Sequence, residues 1–394
     1  MTDSTDNGDG SGRSERSPGA PLLSIIIAVH NGESVLPECL AALAASDLPR
    51  SEWELIVVDD ASTDGSVPIA AEHADVVVRL PGKAKGPAYA RNRGFEVSRA
   101  PILMFCDADV RVHPDVLSCF TSFFRKMPWV SAVFGSYDAD PPAPGIVSQF
   151  RNLLHHYVHQ SNPGEAETFW AGCGAIRREA LVDVQLFDEW HYSRPEIEDI
   201  DMGRRLRRAG HRIVLRPEIQ CTHLKHWTLG HVLHTDYNRR GVPWMRALLQ
   251  EGTLVEFHAL NLRYKERFCT AIALLATVSA VAAAITGSWL LLGAAAAMVL
   301  TVILLNLRFY GFLWQVRGAR QAIASIPLHF IFYNTAALAG LQGYLTHILF
   351  GEPSASPEVE AEAALGLQFW PPCPRRPDDH LWRPIAVPQR RVER

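Results

Sequence analysis

The chain has 394 residues, of which 48% are hydrophobic, and its formal net charge is -4 at pH 7. This charge excludes the overall basicity typical of nucleic-acid-binding proteins, so we predict no nucleic-acid partner. The seven cysteines form no CxxC pair, which excludes a patterned disulfide scaffold and a structural zinc site.

Residues 1–20 are rich in Ser, Gly and Asp without an apolar run, which predicts a disordered leader and no signal peptide. Short apolar, β-branched runs then predict strands at 22–29, 55–58, 75–80, 102–105 and 129–137. Helical patterns separate them at 36–43, 87–98 and 114–126. Strands that alternate with helices indicate an α/β fold with a largely parallel sheet.

Carboxylates follow two of these strands directly. Asp59 and Asp60 follow the second strand, and Asp107 and Asp109 follow the fourth. Because ligands bind beyond the carboxyl ends of parallel strands, both clusters should face one crevice. Residues two apart in an extended segment face the same way, so Asp107 and Asp109 could hold one Mg²⁺ or Mn²⁺ beside a diphosphate. An ordinary turn-capping role is the alternative for both clusters.

A helix predicted from Pro87 would direct free N–H groups toward the crevice, where a diphosphate is favourable. Lys83 and Lys85 precede it and either assist as mobile charges or lie on a solvated loop. Further along, Glu198 and Asp199 fall in the first turn of a second predicted helix. Spacing alone favours a capping role for them over general-base catalysis.

Two further features are structural predictions. Asp201 and Arg205 are four residues apart on one helix face and should form an ion pair. His155 and His159 share a helix face, but no carboxylate or cysteine pattern completes a metal site around them. We therefore expect an interfacial helix at this position.

Taken in chain order, these segments resemble the family 2 glycosyltransferases. The matching motifs lie at residues 24–31, 57–65, 86–94, 105–109, 171–178, 187–189 and 198–206. Each motif alone is weak, but their order and spacing together are specific. The resemblance covers residues 22–245 and leaves the rest of the chain unexplained.

The resemblance implies an inverting, hexosyltransferase-type enzyme with a Rossmann-like, glycosyltransferase A-type nucleotide-binding domain at residues 21–245. In that fold the nucleotide-sugar donor would contact a set of four residues: Asp59, Asp60, Arg91 and Asp107. Asp107 and Asp109 would hold the metal, with His223 close to it or to the diphosphate. Asp199 would be the general base that deprotonates the acceptor hydroxyl.

Two departures from the family pattern bear on function. Leu186 stands where the family often has Gly before the Phe-Asp-Glu element. Residues 236–244 lack the Gln-x-x-Arg-Trp motif of processive synthases, which favours transfer of a single sugar. A processive polysaccharide synthase and a non-catalytic membrane scaffold are the alternatives.

The apolar runs in the rest of the chain predict a membrane region. After a connector at 246–268, apolar runs at 269–285 and 289–305 predict a transmembrane hairpin. Residues 322–350 are a third candidate that either spans the membrane or lies in its interface. Basic residues flank the hairpin and predict a multi-pass cell-membrane protein with a cytoplasmic catalytic domain: Arg263, Lys265, Arg267, Arg308, Arg317 and Arg320. The acceptor would be a polyprenyl phosphate, a glycolipid or a cell-envelope glycan, and 351–394 would form a polar tail.

Overall fold

The structure, a computed structural model, describes residues 20–253, 263–351, 354–364, 366, 368–370 and 373. The predicted leader lies outside the described residues apart from Ala20. Residues 254–262 of the predicted connector and most of the predicted tail also lie outside them.

The described residues from 20 to 253 fold around one mixed sheet. Its strands are β1 (Leu23–Val29), β2 (Trp53–Asp59), β3 (Val76–Arg79), β4 (Ile102–Asp107), β5 (Val110–Val112), β6 (Ala132–Tyr137), β7 (Gly164–Ala166), β8 (Cys173–Arg177) and β9 (Ile213–His223). Their spatial order is β3-β2-β1-β4-β8-β6-β9-β5, and β7 pairs with β9. The first four strands run parallel, whereas β8 is antiparallel to both of its neighbours. The predicted α/β fold is confirmed.

Helices cover both faces of the sheet. They are α1 (Leu36–Ala44), α2 (Ser66–Ala71), α3 (Pro87–Val97), α4 (Val116–Lys126), α5 (Ile146–Gln160), α6 (Arg178–Asp183), α7 (Glu198–Arg208), α8 (Leu229–His234) and α9 (Val242–Gln250). Successive residues of β1 alternate between the two cores, with Ile25 and Ile27 in one and Ile26 in the other. The predicted helix at 114–126 begins later, at Val116, because the Pro114 carbonyl accepts the Asp47 N–H at 2.9 Å.

A helical hairpin follows, formed by α10 (Tyr264–Thr286) and α11 (Trp289–Leu305). Gly287 lies in the left-handed region (φ 68°) at the turn between them. The tip stands clear of the α/β domain, since Ile285, Trp289 and Leu290 are 79%, 83% and 87% exposed. By length and composition α10 could cross a membrane, whereas the 17 residues of α11 are at the lower limit for a span.

The next helix, α12 (Leu307–Phe350), also has the length and composition of a membrane span, and its backbone breaks at Gly318. Beyond the break it remains against the α/β domain at both ends. Near its start, Gln321 donates to the Ile146 carbonyl at 3.0 Å. Just past its end, the Gly351 carbonyl accepts from Arg246 at 3.1 Å. Both arrangements predicted for 322–350, across the membrane or along its interface, stay predictions.

The described part of the tail returns to the α/β domain. It contains the short helix α13 (Pro357–Ala364). Trp370 is 8% exposed, and its backbone N–H donates to Glu189. Phe369 meets the ring of Tyr89 at 5.2 Å. A packed aromatic segment therefore lies within the tail that we predicted to be polar.

The unusual Leu186 lies in a helix-terminating turn after α6. Gln185 N–H donates to Val182 O and Leu186 N–H to Leu181 O, at 3.0 Å each, which is the Schellman pattern. This pattern places the residue after the C-cap in the left-handed region, where Gly is usual. Here Gln185 and Leu186 take φ values of 61° and 63°. Leu186 is fully buried in the core, so its packing offsets the strain.

We expect Gln185→Gly to stabilise the protein and Leu186→Gly to destabilise it. The first change relieves a left-handed L-residue, which costs about 1–2 kcal/mol, and removes a side chain whose Oε1 has no partner. The second relieves similar strain but loses a buried leucine, which costs about 2–5 kcal/mol. Thermal unfolding in detergent should show shifts of opposite sign. Equal shifts would show that backbone strain does not govern this turn.

Candidate functional site

A large cavity opens beyond the carboxyl ends of β1, β2 and β4, where the sequence predicted the crevice. Its volume is about 1010 Å³, at the upper end of the ~300–1,000 Å³ range of ligand pockets. The α/β domain contributes Asp60, Asp107 and Asp109 to the wall, whereas α10 and α12 contribute residues such as Thr270 and Tyr333. The cavity is therefore shared by the α/β domain and the C-terminal helices.

The two carboxylates after β2 have different environments. Asp60 lines the cavity, and its oxygens accept the backbone N–H groups of Lys85 and Gly86 at 2.8 Å each. Burial raises the pKa of Asp60, and these N–H groups oppose the rise. Asp59 is 2% exposed, accepts the Ser62 N–H at 3.2 Å and is not part of the cavity wall. The structure brings Asp60, but not Asp59, to the predicted donor site.

The start of α3 faces the cavity as predicted. Gly86 has a φ of 88°, and a Cβ there would come within 2.7 Å of the Ser193 carbonyl, so this position requires Gly. The two lysines do not face the cavity. Lys85 is buried with its ammonium bonded to the carbonyls of Pro81 and Lys83. Lys83 itself is exposed, which fits the solvated-loop alternative.

Arg91 of α3 joins the two acidic motifs. Its guanidinium donates to Asp107 Oδ1 at 2.9 Å and to Glu198 Oε1 at 2.8 Å. Although burial opposes the charged form, Asp107 and Glu198 raise the pKa of Arg91 above its ordinary value. We call this arrangement the Arg91 bridge. Arg91 also lines the cavity, so a direct contact between Arg91 and the donor stays a prediction.

The Asp107-Ala108-Asp109 element is not extended, contrary to the reasoning from strand periodicity. β4 ends at Asp107, and residues 108 and 109 form a turn into β5. The turn is required because β5 pairs with β9, on the far side of the sheet from β1. Both carboxylates nevertheless line the cavity.

His223, the last residue of β9, is oriented by its neighbours. Its Nδ1 lies 2.8 Å from Asn152 Oδ1, an acceptor that also receives the Trp227 indole N–H at 3.1 Å. Nδ1 must therefore carry the proton, which leaves Nε2 facing Asp109 Oδ2 at 3.6 Å. The ring stacks on Tyr137 with a centroid distance of 4.3 Å.

Asp107, Asp109 and His223 fit a divalent metal whose remaining ligands come from the phosphates of a bound substrate. An imidazole whose other nitrogen donates to a fixed acceptor is the usual arrangement of a metal-binding histidine. In the described residues no group of three or more His, Cys, Asp or Glu side chains forms a closed metal site. Mg²⁺ commonly binds through one or two carboxylates plus substrate phosphates, so an incomplete protein set suits a metal–diphosphate site.

Asp199 lines the same cavity beside Glu198, in the first turn of α7 as predicted. One oxygen accepts the Ala171 N–H at 3.1 Å, which orients the carboxylate. Burial, followed by repulsion from Glu198, raises the pKa of Asp199 to about 6. The predicted ion pair between Asp201 and Arg205 is present at 2.9 Å and is structural.

One side of the cavity was not predicted from the sequence. His155 and His159, assigned there to an interfacial helix, line the cavity together with Arg239 and Arg240. The shared face of the two histidines was visible in the sequence. Arg239 and Arg240 lie in the 236–244 region, which was considered only because it lacks the synthase motif, and no site role was predicted for them.

Comparisons with known proteins agree with the motifs. A family model described as Glycosyl transferase family 2 matches residues 24–184, which confirms the predicted resemblance. Glycosyltransferase AglE of Haloferax volcanii is 34% identical over 97 residues, 24% of this chain and 32% of that protein. Validoxylamine A glucosyltransferase of Streptomyces hygroscopicus is 29% identical over 158 residues, 38% of this chain and 34% of that protein.

Other similarities are more partial or more distant. The poly(ribitol-phosphate) beta-glucosyltransferase of Bacillus spizizenii is 29% identical over 109 residues, 26% of this chain and 17% of that protein. The chain thus spans between 17% and 34% of the length of these curated relatives. The solved structure of mannosyltransferase PcManGT from Pyrobaculum calidifontis, in complex with GDP-Man and Mn²⁺, has a TM-score of 0.46 and 18% identity. It covers 84% of this chain and 88% of that one.

Replacing Arg91 with Ala should leave Asp107 and Glu198 without their shared cation. We expect the free energy of unfolding to fall by about 3 kcal/mol, the low end for a broken buried pair, because Asp107 is partly exposed. Arg111→Ala is the control, since that guanidinium meets Glu38 on the surface, where a pair contributes about 0–1 kcal/mol. Thermal unfolding of both variants in detergent measures the difference. Equal losses would contradict a structural role for the bridge.

Proposed function

Residues 24–184 belong to the family 2 glycosyltransferases, and on this premise we propose that the chain is a membrane-associated, inverting glycosyltransferase. It moves one sugar from a nucleotide-sugar donor to an acceptor at the membrane. The Arg91 bridge carries the proposal, because it joins the Asp-x-Asp element to the Glu198–Asp199 pair at one cavity wall. A donor diphosphate and an acceptor hydroxyl can therefore meet there.

The donor binds at the ends of β2 and β4. Asp60 orders the turn before α3 and faces the nucleotide, while the start of α3 presents N–H groups to the diphosphate. Asp107, Asp109 and His223 are the residues that would hold Mg²⁺ or Mn²⁺ beside the diphosphate. When bound, the ion neutralises negative charge on the departing diphosphate. Arg91 is a positioning residue that fixes the carboxylate of Asp107.

The acceptor reacts on the Asp199 side of the cavity. Asp199 accepts the proton of the acceptor hydroxyl, whose oxygen forms a bond to the anomeric carbon of the donor. The bond from that carbon to the diphosphate oxygen breaks, and its electron pair leaves with the nucleoside diphosphate. Because attack and departure take place on opposite faces, the anomeric configuration is inverted.

The C-terminal helices support a membrane location. In this proposal the apolar α10–α11 hairpin enters the bilayer, while α12 stays along the α/β domain at the interface. Basic residues at the base of the hairpin favour the cytoplasmic side for the catalytic domain. The described tail residues contact that same domain, so they lie on the same side.

The metal site is tested by nucleotide binding. A panel of nucleoside diphosphates with Mn²⁺ should include one that raises the Tm of the purified protein, by an amount equivalent to about 2.7 kcal/mol at a hundred times its Kd. Chelation of the metal should remove the shift. Asp109→Asn should lose the Mn²⁺-dependent part, whereas Asp140→Asn, at an 88% exposed carboxylate, should keep it. A full shift in Asp109→Asn would refute the assigned metal site.

The general base is tested by the pH dependence of transfer. Asp199 must be ionised to accept a proton, and its pKa is raised to about 6. We therefore expect kcat/KM for sugar transfer to increase about tenfold per pH unit below pH 6 and to level off above it. Asp199→Asn should lower kcat by about 10²–10⁴-fold while leaving nucleoside diphosphate binding intact. Wild-type turnover in that variant would remove Asp199 from the mechanism.

A further inference from the structure

The segment Thr235–Gly241 forms the cavity wall between the loop before α7 and the C-terminal helices. It is π-helical, a wide turn that is frequent at functional sites. Arg239 Nη1 lies 3.6 Å from Glu196 Oε1 in that loop. On the other side, a Cβ at Gly241 would come within 2.5 Å of Ala339 Cβ in α12. The segment is therefore held between the loop before α7 and helix α12.

Arg240 brings a positive charge to this wall. Within the described residues its guanidinium takes part in no hydrogen bond or ion pair. It lies close enough to Tyr137, Arg151, His155 and His159 to act on the pKa of each of them. Arg151 is already paired with Asp236 at 2.6 Å, so the charges of these two cancel. Arg240 therefore adds a positive charge to the cavity wall that no ion pair among the described residues neutralises.

Two histidines of α5 add polar groups to this wall, and one of them has a buried nitrogen without a partner among the described residues. His159 is 2% exposed, lines the cavity, and its Nδ1 has no hydrogen-bond partner. His155 lies one helical turn earlier, with the two ring centroids 5.2 Å apart. Burial lowers the pKa of both residues, so each is a neutral imidazole with one N–H to donate. Buried polar groups normally have partners, which points to a ligand at this position.

The chemistry at Asp199 limits what this ligand can be. A general base is useful only if the attacking group carries a proton. A lipid monophosphate that attacked through its own ionised oxygen would have no proton to lose. The anion at Arg240 and the nucleophile at Asp199 are therefore separate groups of one acceptor.

We propose that Arg240, His155 and His159 bind the phosphate of a lipid-linked glycan whose sugar hydroxyl reacts beside Asp199. This inference rests on the proposed function and names its acceptor class. The cavity continues from Arg240 to apolar residues of α10 and α12, among them Ala271, Phe332 and Ala336, which fit the lipid chain. During transfer the phosphate is unchanged. The sugar hydroxyl loses its proton to Asp199 and gains the glycosyl carbon, and nucleoside diphosphate leaves.

Binding of farnesyl phosphate to the purified full chain in detergent tests the phosphate subsite. Farnesol tests the lipid chain alone, inorganic phosphate tests the anion alone, and a nucleoside diphosphate with Mn²⁺ tests the donor site. We compare wild type with Arg240→Gln, Arg240→Lys and Arg320→Gln. Arg320 is the matched control, because it is an exposed arginine of α12 outside the cavity wall.

Wild type should bind farnesyl phosphate at least tenfold more tightly than farnesol or inorganic phosphate. Arg240→Gln should weaken farnesyl phosphate binding by about ten- to a hundredfold, as expected for a hydrogen bond to a charged group. Arg240→Lys should show a smaller loss, and Arg320→Gln none. Unchanged nucleoside diphosphate binding in Arg240→Gln would show that the variant is folded and that the donor site is separate.

Three results would overturn the inference. The first is that Arg240→Gln binds farnesyl phosphate as tightly as wild type does. The second is that wild type binds farnesol or inorganic phosphate as tightly as farnesyl phosphate. The third is that Arg240→Gln no longer binds nucleoside diphosphate. The last would assign Arg240 to the donor diphosphate. Failure of the proposed function is distinguishable, because it would appear as absent metal-dependent nucleotide binding in wild type.

Discussion

The arrangement of the cavity depends on one buried cation shared by two carboxylates. Asp107, Glu198 and Asp199 are brought together at one wall, and their mutual repulsion would open the site without a cation between them. The guanidinium of Arg91 supplies that cation through two different nitrogens. A lysine ammonium is a single point of charge and does not offer this fork. The bridge therefore fixes the end of β4 relative to the start of α7.

The bridge works only if α3 is itself held in place, and three contacts do this. At its start, Asp60 accepts the N–H groups of Lys85 and Gly86. One residue beyond Arg91, Asn92 exchanges two hydrogen bonds with the backbone of Phe187. Arg93 then pairs with the fully buried Glu189 carboxylate at 3.0 Å. The successive residues Arg91, Asn92 and Arg93 thus contact different parts of the α/β domain. Helix α3 is therefore the rigid element that positions the site.

The sequence predicted those features that depend on local pattern. Strand ends, helix starts and the Asp201–Arg205 pair follow from periodicity and spacing, and the structure places them near the predicted positions. The Arg91 bridge links Arg91 to Asp107, which is 16 positions further along the chain, and to Glu198, which is 107 positions further along. No spacing rule connects these residues. The turn at Asp109 was missed because it is imposed by the pairing of β5 with β9. The role proposed for Arg240 could not be predicted from the sequence, because it depends on the tertiary structure that brings Arg240 and the histidines of α5 to one cavity.

A polar cluster at the base of the hairpin links the catalytic cavity to the proposed membrane depth. Tyr333 donates to Glu266 at 2.7 Å, and its hydroxyl oxygen lies 3.2 Å from Asn306 Oδ1, which accepts from Lys265 at 3.1 Å. Charged groups are costly in the hydrocarbon core, so in the proposed membrane orientation this level would correspond to the interface. Beyond the cluster, most of the 23 residues of α10 remain. At 1.5 Å per residue, about 20 residues match the ~30 Å thickness of the hydrocarbon.

This level also fixes where the acceptor enters. Glu266 and Tyr333 belong both to the polar cluster and to the cavity wall, so this end of the cavity lies at the depth of lipid head groups in the proposed orientation. A head group that enters from this side passes the Thr235–Gly241 segment before it reaches Asp199. In the proposed mechanism the donor binds at the tips of β2 and β4, away from this end of the cavity. A water-soluble donor and a lipid-linked acceptor would then approach the reacting atoms from different ends of one cavity.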